Sequence, residues 1–231
     1  MTSLAQRALA SEQMDDPHLD PAIYAQVLAD LSAVNNWTLA RRPTLGFVRR
    51  ALREKQSFRL LDVGFGQGDM LRSIARWASH NGIKADLVGV DLNPRSAAIA
   101  RAATPETLWI DFRTGDYAVQ DGPFDLIISS LVAHHMTVDE LVSFLRFMED
   151  RAALGWMVND LHRHRAAHRL YPTLARVMGW HRIVREDGTL SIARSFRPDE
   201  WPPLLRAADV DPRTAQVCRR FPFRLCVERL R

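Results

Sequence analysis

The stretch Leu60-Leu61-Asp62-Val63-Gly64-Phe65-Gly66-Gln67-Gly68-Asp69 runs an apolar segment into three glycines at alternate positions. Glycine lets a backbone approach a ligand closely and take turns closed to residues with a Cβ. The pattern predicts a buried strand that turns beneath a bound small molecule and enters a helix. A second apolar run, Val88-Gly89-Val90, ends on Asp91, 23 residues past Gly68. In an open α/β sheet an acid at such a strand end faces the same crevice and can accept both hydroxyls of a ribose. His134 and His135 follow a later apolar run. A histidine titrates near neutrality and suits the removal of a proton from a hydroxyl or an acidic carbon. Asn159–Asp160 is a second acid–base candidate. Each residue also has a local reading: Asp91 as a helix cap before Pro94, Asp116 as a turn residue near Asp121–Gly122–Pro123, and the histidines as packing or capping groups.

These residues need elements to position them. Strand candidates are Arg59–Val63, Asp86–Val90, Thr107–Phe112, Phe124–Ser130 and Gly155–Val158, separated by helical patterns at Met70–Ala78, Pro94–Ala103 and Val138–Met148. Thr137 with Glu140 three residues later is a capping box for the last of these. Such alternation predicts a parallel sheet covered on both faces by helices. Ahead of it, after a loose leader, Asp20–Pro21 caps a helix carrying Ile23, Val27, Leu28, Leu31 and Val34, and Pro43 opens a second. Beyond it come a helical stretch, Leu161–Met178, interrupted by Pro172, a turn at Glu186–Asp187–Gly188, and a helix from Pro198 to Ala208. Two terminal strands, Ala215–Arg219 and Phe223–Glu228, read as an antiparallel pair that sets Cys218 opposite Cys226.

With 231 residues, 47% hydrophobic and 25% charged, the composition suits one globular domain and excludes disordered, fibrous and disulfide-scaffold classes. Within residues 1–231 the expected parts are N-terminal helices and lid (1–57), a ligand-binding core (58–160), a lid insertion (161–197), and a helix with the strand pair (198–231). The longest apolar runs, Leu126–Ala133 and Ala152–Val158, fall short of the ~20 residues that span a bilayer. Acids at Glu12, Asp15 and Asp16 precede any apolar run, against a secretory signal. Cys218 and Cys226 have no metal spacing and fit buried thiols in a reducing cytoplasm. The net charge of +4 comes from scattered arginines rather than one patch, so no nucleic-acid footprint is expected.

Taken together, Asp62-x-Gly64-x-Gly66-x-Gly68, the strand ending on Asp91 and the terminal strand pair resemble a class I S-adenosylmethionine-dependent methyltransferase, over roughly Phe58 to Asp160. The spacing differs from the Gly-x-Gly-x-x-Gly of a nicotinamide dehydrogenase. The resemblance implies a Rossmann-like, doubly wound, mostly parallel seven-stranded sheet with helical lids. It implies that Asp62 and Gly64, Phe65, Gly66 and Gly68 frame the amino-acid part of S-adenosylmethionine. Asp91, with Leu92 beside it, would hold the ribose. Asp116 and Tyr117 would meet the adenine, and Ser129 and Ser130 the methionine portion. The pair His134–His135 resembles small-molecule methyltransferases acting on quinone-like or phenolic acceptors, and the Asn/Asp-Pro-Pro-aromatic motif of nucleic-acid amino-methyltransferases is missing at this place.

The implied activity is methyl transfer to oxygen or carbon of a small acceptor, with His134, His135 or Asp160 as base. An RNA or protein methyltransferase and a non-catalytic cofactor-binding scaffold are the rivals. Asn159–Asp160 is similar to the Asp–Asn pair of metal-dependent catechol methyltransferases, but serines stand where those enzymes place another aspartate, so no metal is expected. His164 and His168 at i, i+4 could share zinc, but Arg163, Arg165 and Arg169 interleave with them and repel a cation. Beyond Asp160 the chain resembles bacterial enzymes encoded beside polyketide or phenolic-lipid pathways. That likeness implies that 161–194 and the helix bearing Asn35, Asn36 and Trp37 roof the acceptor pocket. The arginines of 161–194 would then guide an acidic or carrier-bound acceptor, and a monomer or homodimer is expected.

Overall fold

The computed structural model describes residues 4–231. Its strands are β1 (Ser57–Val63), β2 (Lys84–Asp91), β3 (Asp111–Thr114), β4 (Phe124–Ser130), β5 (Ala152–Leu161), β6 (Ala215–Arg220) and β7 (Arg224–Leu230). They form one sheet in the order β3-β2-β1-β4-β5-β7-β6. β1 to β5 pair in parallel, and β7 runs antiparallel to both β5 and β6. The connections from β1 and β4 leave in opposite directions across the sheet, which opens a crevice at the carboxyl ends of these two strands.

The helices are α1 (Pro21–Trp37), α2 (Arg41–Ala51), α3 (Asp69–His80), α4 (Ser96–Ala102), α5 (Val138–Arg151), α6 (Arg165–Val177), α7 (Arg182–Arg194) and α8 (Trp201–Ala207). Strand side chains alternate between faces, so the apolar runs supply two cores. Leu61, Val63, Ile127, Trp156 and Val227 pack with Phe144 of α5 and Trp201 of α8. Leu60, Leu87, Leu126 and Met157 pack with Phe47 of α2 and Ile74 of α3. Burying each such side chain stabilises the fold by roughly 1.5–3 kcal/mol. A third cluster stands apart from the sheet: Val27 and Val34 of α1 meet Ala175 of α6, Trp180, and Ile183 and Val184 of α7.

The Thr137–Glu140 capping box forms as the sequence predicts, Asp20 caps α1, and Cys218 pairs with Cys226 across the terminal hairpin. Four expectations are corrected. The third strand lies at Asp111–Thr114 rather than Thr107–Phe112, because pairing with β2 begins at Val88 opposite Asp111. Leu161 ends β5, and α6 runs through Pro172 without a break. Pro172 is exposed, and it offers no N–H to the His168 carbonyl four residues earlier. No turn falls at Glu186–Asp187–Gly188, which lies inside α7. Gly188 is required there for close packing, since a Cβ would sit 2.4 Å from the Tyr171 ring of α6. The stretch before α1 is not loose: Ala8 N donates to Ala193 O at 3.0 Å, and Arg7 lies over the Phe196 ring, 3.7 Å from its centroid.

Candidate active site

A cavity of about 640 Å³ opens at the carboxyl ends of β1, β2 and β4, within the ~300–1,000 Å³ usual for small-ligand sites. The glycine-rich turn forms its floor. Gly66 takes φ +53°, and a Cβ there would project into open space, meeting only Leu28 at 3.9 Å. Gly68 has another purpose. At φ +77° its Cβ would strike Phe112 at 2.7 Å, so it permits packing and lies outside the cavity wall. Asp91 closes the turn: its Oδ2 accepts from Gly66 N at 2.9 Å and its Oδ1 from Asn93 N at 2.9 Å. Burial raises the Asp91 pKa.

Asp62 is fully buried, and its Oδ1 has no partner. Burial, reinforced by Asp69 and Asp91, pushes its pKa well above the usual carboxylate range. Asp69 is also raised, by burial, against the pull of Arg41 at 3.3 Å. Three acids therefore line one end of the cavity, and Asp62 among them has an oxygen without a partner, an arrangement that favours a cationic ligand. Ser130 Oγ and Asn35 Oδ1, also on the wall, are likewise buried without partners. These orphaned atoms fit the ammonium and carboxylate of an amino-acid moiety.

Further along the wall stand two histidines. His134 Nδ1 lies 2.7 Å from Asp160 Oδ1, and Asp160 Oδ2 accepts from His134 N at 2.8 Å. Burial opposes the charge on Asp160, but His134 and the backbone donors outweigh it and hold its pKa below the usual value. An ionised carboxylate only accepts, so Nδ1 carries a proton and Nε2 is the ring nitrogen left for the acceptor. His135 Nδ1 donates to Asp15 Oδ2 at 3.2 Å. Burial works against its charge, yet Asp15 and Glu12 prevail over that and over Arg194, and its pKa is raised.

The sequence reading did not place Glu12 and Asp15 in the site. Glu12 Oε1 accepts from Ser191 Oγ at 2.8 Å and lies 3.6 Å from His134 Nε2 and 4.0 Å from Arg194. Among the described residues Glu12, His134 and His135 are the group whose ligand-type atoms approach within 4.8 Å, as a metal ion would require. Ser191 and Arg194 already answer the Glu12 charge, so the cluster reads as a proton-holding network. Nothing local in the sequence marks Glu12. Its partners come from α7 and the turn after β4.

The expected site residues thus separate. Asp62, Gly64, Phe65, Gly66, Asp91, Leu92, Tyr117, His134 and His135 line the cavity, whereas Gly68, Asp116, Ser129 and Asp160 do not. Asp116 caps the short helical turn Tyr117–Val119 by accepting from Ala118 N at 2.9 Å. Ser129 Oγ donates to Val63 O at 3.0 Å, tying β4 to β1, and strand alternation turns its neighbour Ser130 to the cavity. Asp160 acts from behind His134. Asn159 Nδ2 donates to Ala40 O at 2.8 Å and Thr44 Oγ1 at 3.0 Å, anchoring α2. His162 lies near the end of β5, and His164 caps α6 by accepting from Ala166 N. Both lid segments reach the cavity, α1 through Val27, Leu28 and Leu31, and α6 and α7 through Leu170, Tyr171, Leu174 and Ile192.

Residues 60–153 match a family model described as a methyltransferase domain, and the sheet has the Rossmann-like methyltransferase topology. An uncharacterized methyltransferase of Synechocystis sp. is 28% identical over 96 residues, 41% of this chain and 45% of that relative. The chain thus spans less than half the length of this curated relative. Human N-acetylserotonin methyltransferase, solved with S-adenosylmethionine, has a TM-score of 0.63 at 17% identity, covering 92% of this chain and 56% of that one. Magnesium protoporphyrin IX methyltransferase from Synechocystis PCC 6803, solved with S-adenosylhomocysteine, has a TM-score of 0.53 at 14% identity, covering 94% and 89%. The plantazolicin methyltransferase BpumL, solved with a monoazolic desmethylPZN analogue and S-adenosylhomocysteine, has a TM-score of 0.61 at 16% identity, covering 83% and 72%. Among the described residues no helix is long and apolar enough to cross a membrane.

Proposed function

We propose that the protein is an S-adenosylmethionine-dependent methyltransferase acting on oxygen or acidic carbon of a small aromatic or quinone-like acceptor. The observation that carries this reading is one cavity with two unlike ends: buried acids around a glycine turn, and a carboxylate-backed histidine under an apolar roof. Bound at the acidic end, S-adenosylmethionine supplies an electrophilic methyl group. Asp91 holds the ribose hydroxyls, Tyr117 borders the adenine, and Asp62, Ser130 and Asn35 meet the amino-acid end.

His134 Nε2 takes the acceptor's proton, while Asp160 fixes its tautomer and stabilises the imidazolium that results. His135, whose charge Asp15 and Glu12 favour, holds the N-terminal segment against the site. The apolar walls of α1, α6 and α7 align the acceptor and exclude water, and alignment contributes much of the rate. The test is incubation with methyl-labelled S-adenosylmethionine and a small-metabolite extract, the label being located by mass spectrometry. Label in a phenolic or quinone-like product supports the proposal. Label recovered only in RNA or protein, or never transferred, overturns it.

A further inference from the structure

Several large apolar side chains stand in solvent around one part of the molecule. Leu170 of α6 is 61% exposed, and Leu174 and Val177 follow at helical spacing on the same side, also exposed. Trp37, ending α1, is 67% exposed, and Phe221 in the β6–β7 turn is 84% exposed. Contacts join these three places. Arg224, at the start of β7, donates to Thr38 Oγ1 beside Trp37 at 3.2 Å. His164, capping α6, stacks on Phe223 with centroids 5.1 Å apart, and His162 N donates to Phe223 O at 2.9 Å. The end of α1, the hairpin turn and α6 therefore make one rim. Leu170, Leu174 and Phe223 are at once exposed and part of the cavity wall, so the rim is a mouth of the cavity on its β5–β7 side. Another exposed wall residue, Leu92, marks the other end, beside Asp91.

The rim is also basic. An outer cleft that shares Leu170 with the cavity is lined by Arg163, Arg165, Arg169, Arg197 and Arg219. Asp199 is the acid on its wall, since Glu200 pairs with Arg163 outside that lining. Arg163 is buried, and its Nε and Nη1 have no hydrogen-bond partner. Burial, together with the neighbouring Arg219 and Arg197, holds the His162 pKa below its ordinary value.

Single exposed apolar residues are unremarkable on a protein surface. Apolar side chains gathered with arginines around the mouth of an apolar cavity combine the two contributions of an interfacial protein. Aromatic and aliphatic groups enter the headgroup–acyl boundary, and arginines meet anionic phosphates. A second copy of the chain on this face would set arginines against arginines.

We propose that this rim docks on an anionic lipid surface and that the acceptor is a lipophilic molecule entering from the bilayer between Leu170 and Phe223. The second clause rests on the methyl-transfer reading; the docking surface stands without it.

The experiment is co-sedimentation of the full chain with phosphatidylcholine vesicles, with and without phosphatidylglycerol. Binding is expected with the anionic vesicles and to fall with salt. The double variant Val177→Glu, Phe221→Ser changes two exposed residues outside the cavity wall. It should lower partition by about tenfold or more, as removal of two inserted apolar groups requires, with S-adenosylmethionine affinity by calorimetry unchanged. Equal binding to neutral and anionic vesicles, binding to neither, or full binding by the double variant overturns the proposal. A water-soluble phenol serves as a control acceptor. Its methylation without vesicle binding removes the docking surface and spares the function, whereas vesicle binding without any methyl transfer does the reverse.

Discussion

The two ends of the cavity are built by different means. At the acidic end Gly64 N donates to Val90 O at 2.8 Å and Gly66 N to Asp91, so adjacent parallel strands and one turn complete the site. At the histidine end Glu12 meets Ser191 across 179 positions of sequence, and Gln13 meets Asp187 across 174. The first end is a local motif fixed by sheet register. The second is assembled only when the N-terminal segment and α7 close on the turn after β4. Change at one end should therefore leave the other nearly intact.

The largest expected effect is at the histidine end. His134→Ala should lower turnover by roughly 10²–10⁴ with cofactor affinity preserved, and Asp160→Asn should lower it in the same direction by releasing the Nδ1 tautomer. A His134 variant within a few fold of wild type would move the base elsewhere. Chelator should leave turnover unchanged. Loss of activity in chelator, restored by a divalent ion, would turn the Glu12–His134–His135 cluster into a metal site.

At the acidic end Asp91→Ala should weaken S-adenosylmethionine binding by about 1.5–3 kcal/mol, the scale of hydrogen bonds to a charged group, without unfolding the domain. Gly66→Val should block binding, because the added atoms enter the open space under Leu28. Calorimetry showing wild-type affinity in either variant would detach the turn from the cofactor.

Closure of the lid offers a sharper division. Asp187 accepts from Gln13 N at 3.1 Å, Gln13 Nε2 at 3.3 Å and Met14 N at 2.9 Å, so Asp187→Ala removes three ties that hold the segment carrying Glu12 and Asp15. KM for the acceptor should rise severalfold, stability should fall by about 1–3 kcal/mol, and cofactor affinity should stay within about twofold. Removing residues 1–40 is a blunter experiment, since it also takes Tyr24 and Val27 from the interior. An Asp187→Ala variant that loses cofactor affinity as much as acceptor affinity would end the distinction between the two ends.

The same division explains what could be read from sequence. The strand–helix alternation, the glycine turn and the place of Asp91 at a strand end follow from apolar period and spacing, because each is decided within one strand–turn–helix unit. Ser129 and Ser130 were legible as a pair, but which of them faces the ligand depends on strand phase, and Ser129 was spent on β1. Asp116 and Tyr117 divided likewise, the acid capping a turn and the ring lining the wall. Glu12 and Asp15 were illegible. Their segment has no periodicity of its own and is ordered by Asp187, Ser191 and Arg194, which are distant in sequence. The helix through Asp187–Gly188 defeated local propensity because Tyr171 packs where a side chain would stand.

The smallest expected effect concerns pH at the acidic end. Asp62 is raised well above its ordinary pKa by burial and by Asp69 and Asp91, and Asp91 is raised by burial. The ligand-free folded state holds these protons more tightly than the unfolded chain does. The contribution of the two groups to stability therefore declines as pH rises from the ordinary carboxylate range through the raised one. A cationic ligand reverses the preference, because it favours the ionised carboxyls and releases protons when it binds. S-adenosylmethionine affinity should accordingly rise with pH across the raised range and level off above it. Calorimetry in two buffers of different ionisation enthalpy measures the released protons directly. Asp62→Asn should flatten most of the profile while leaving the response of turnover to His134→Ala unchanged. A flat profile in the wild type, or one that persists in Asp62→Asn, would mean that Asp62 stays neutral beside the bound cofactor and acts there as a hydrogen-bond donor.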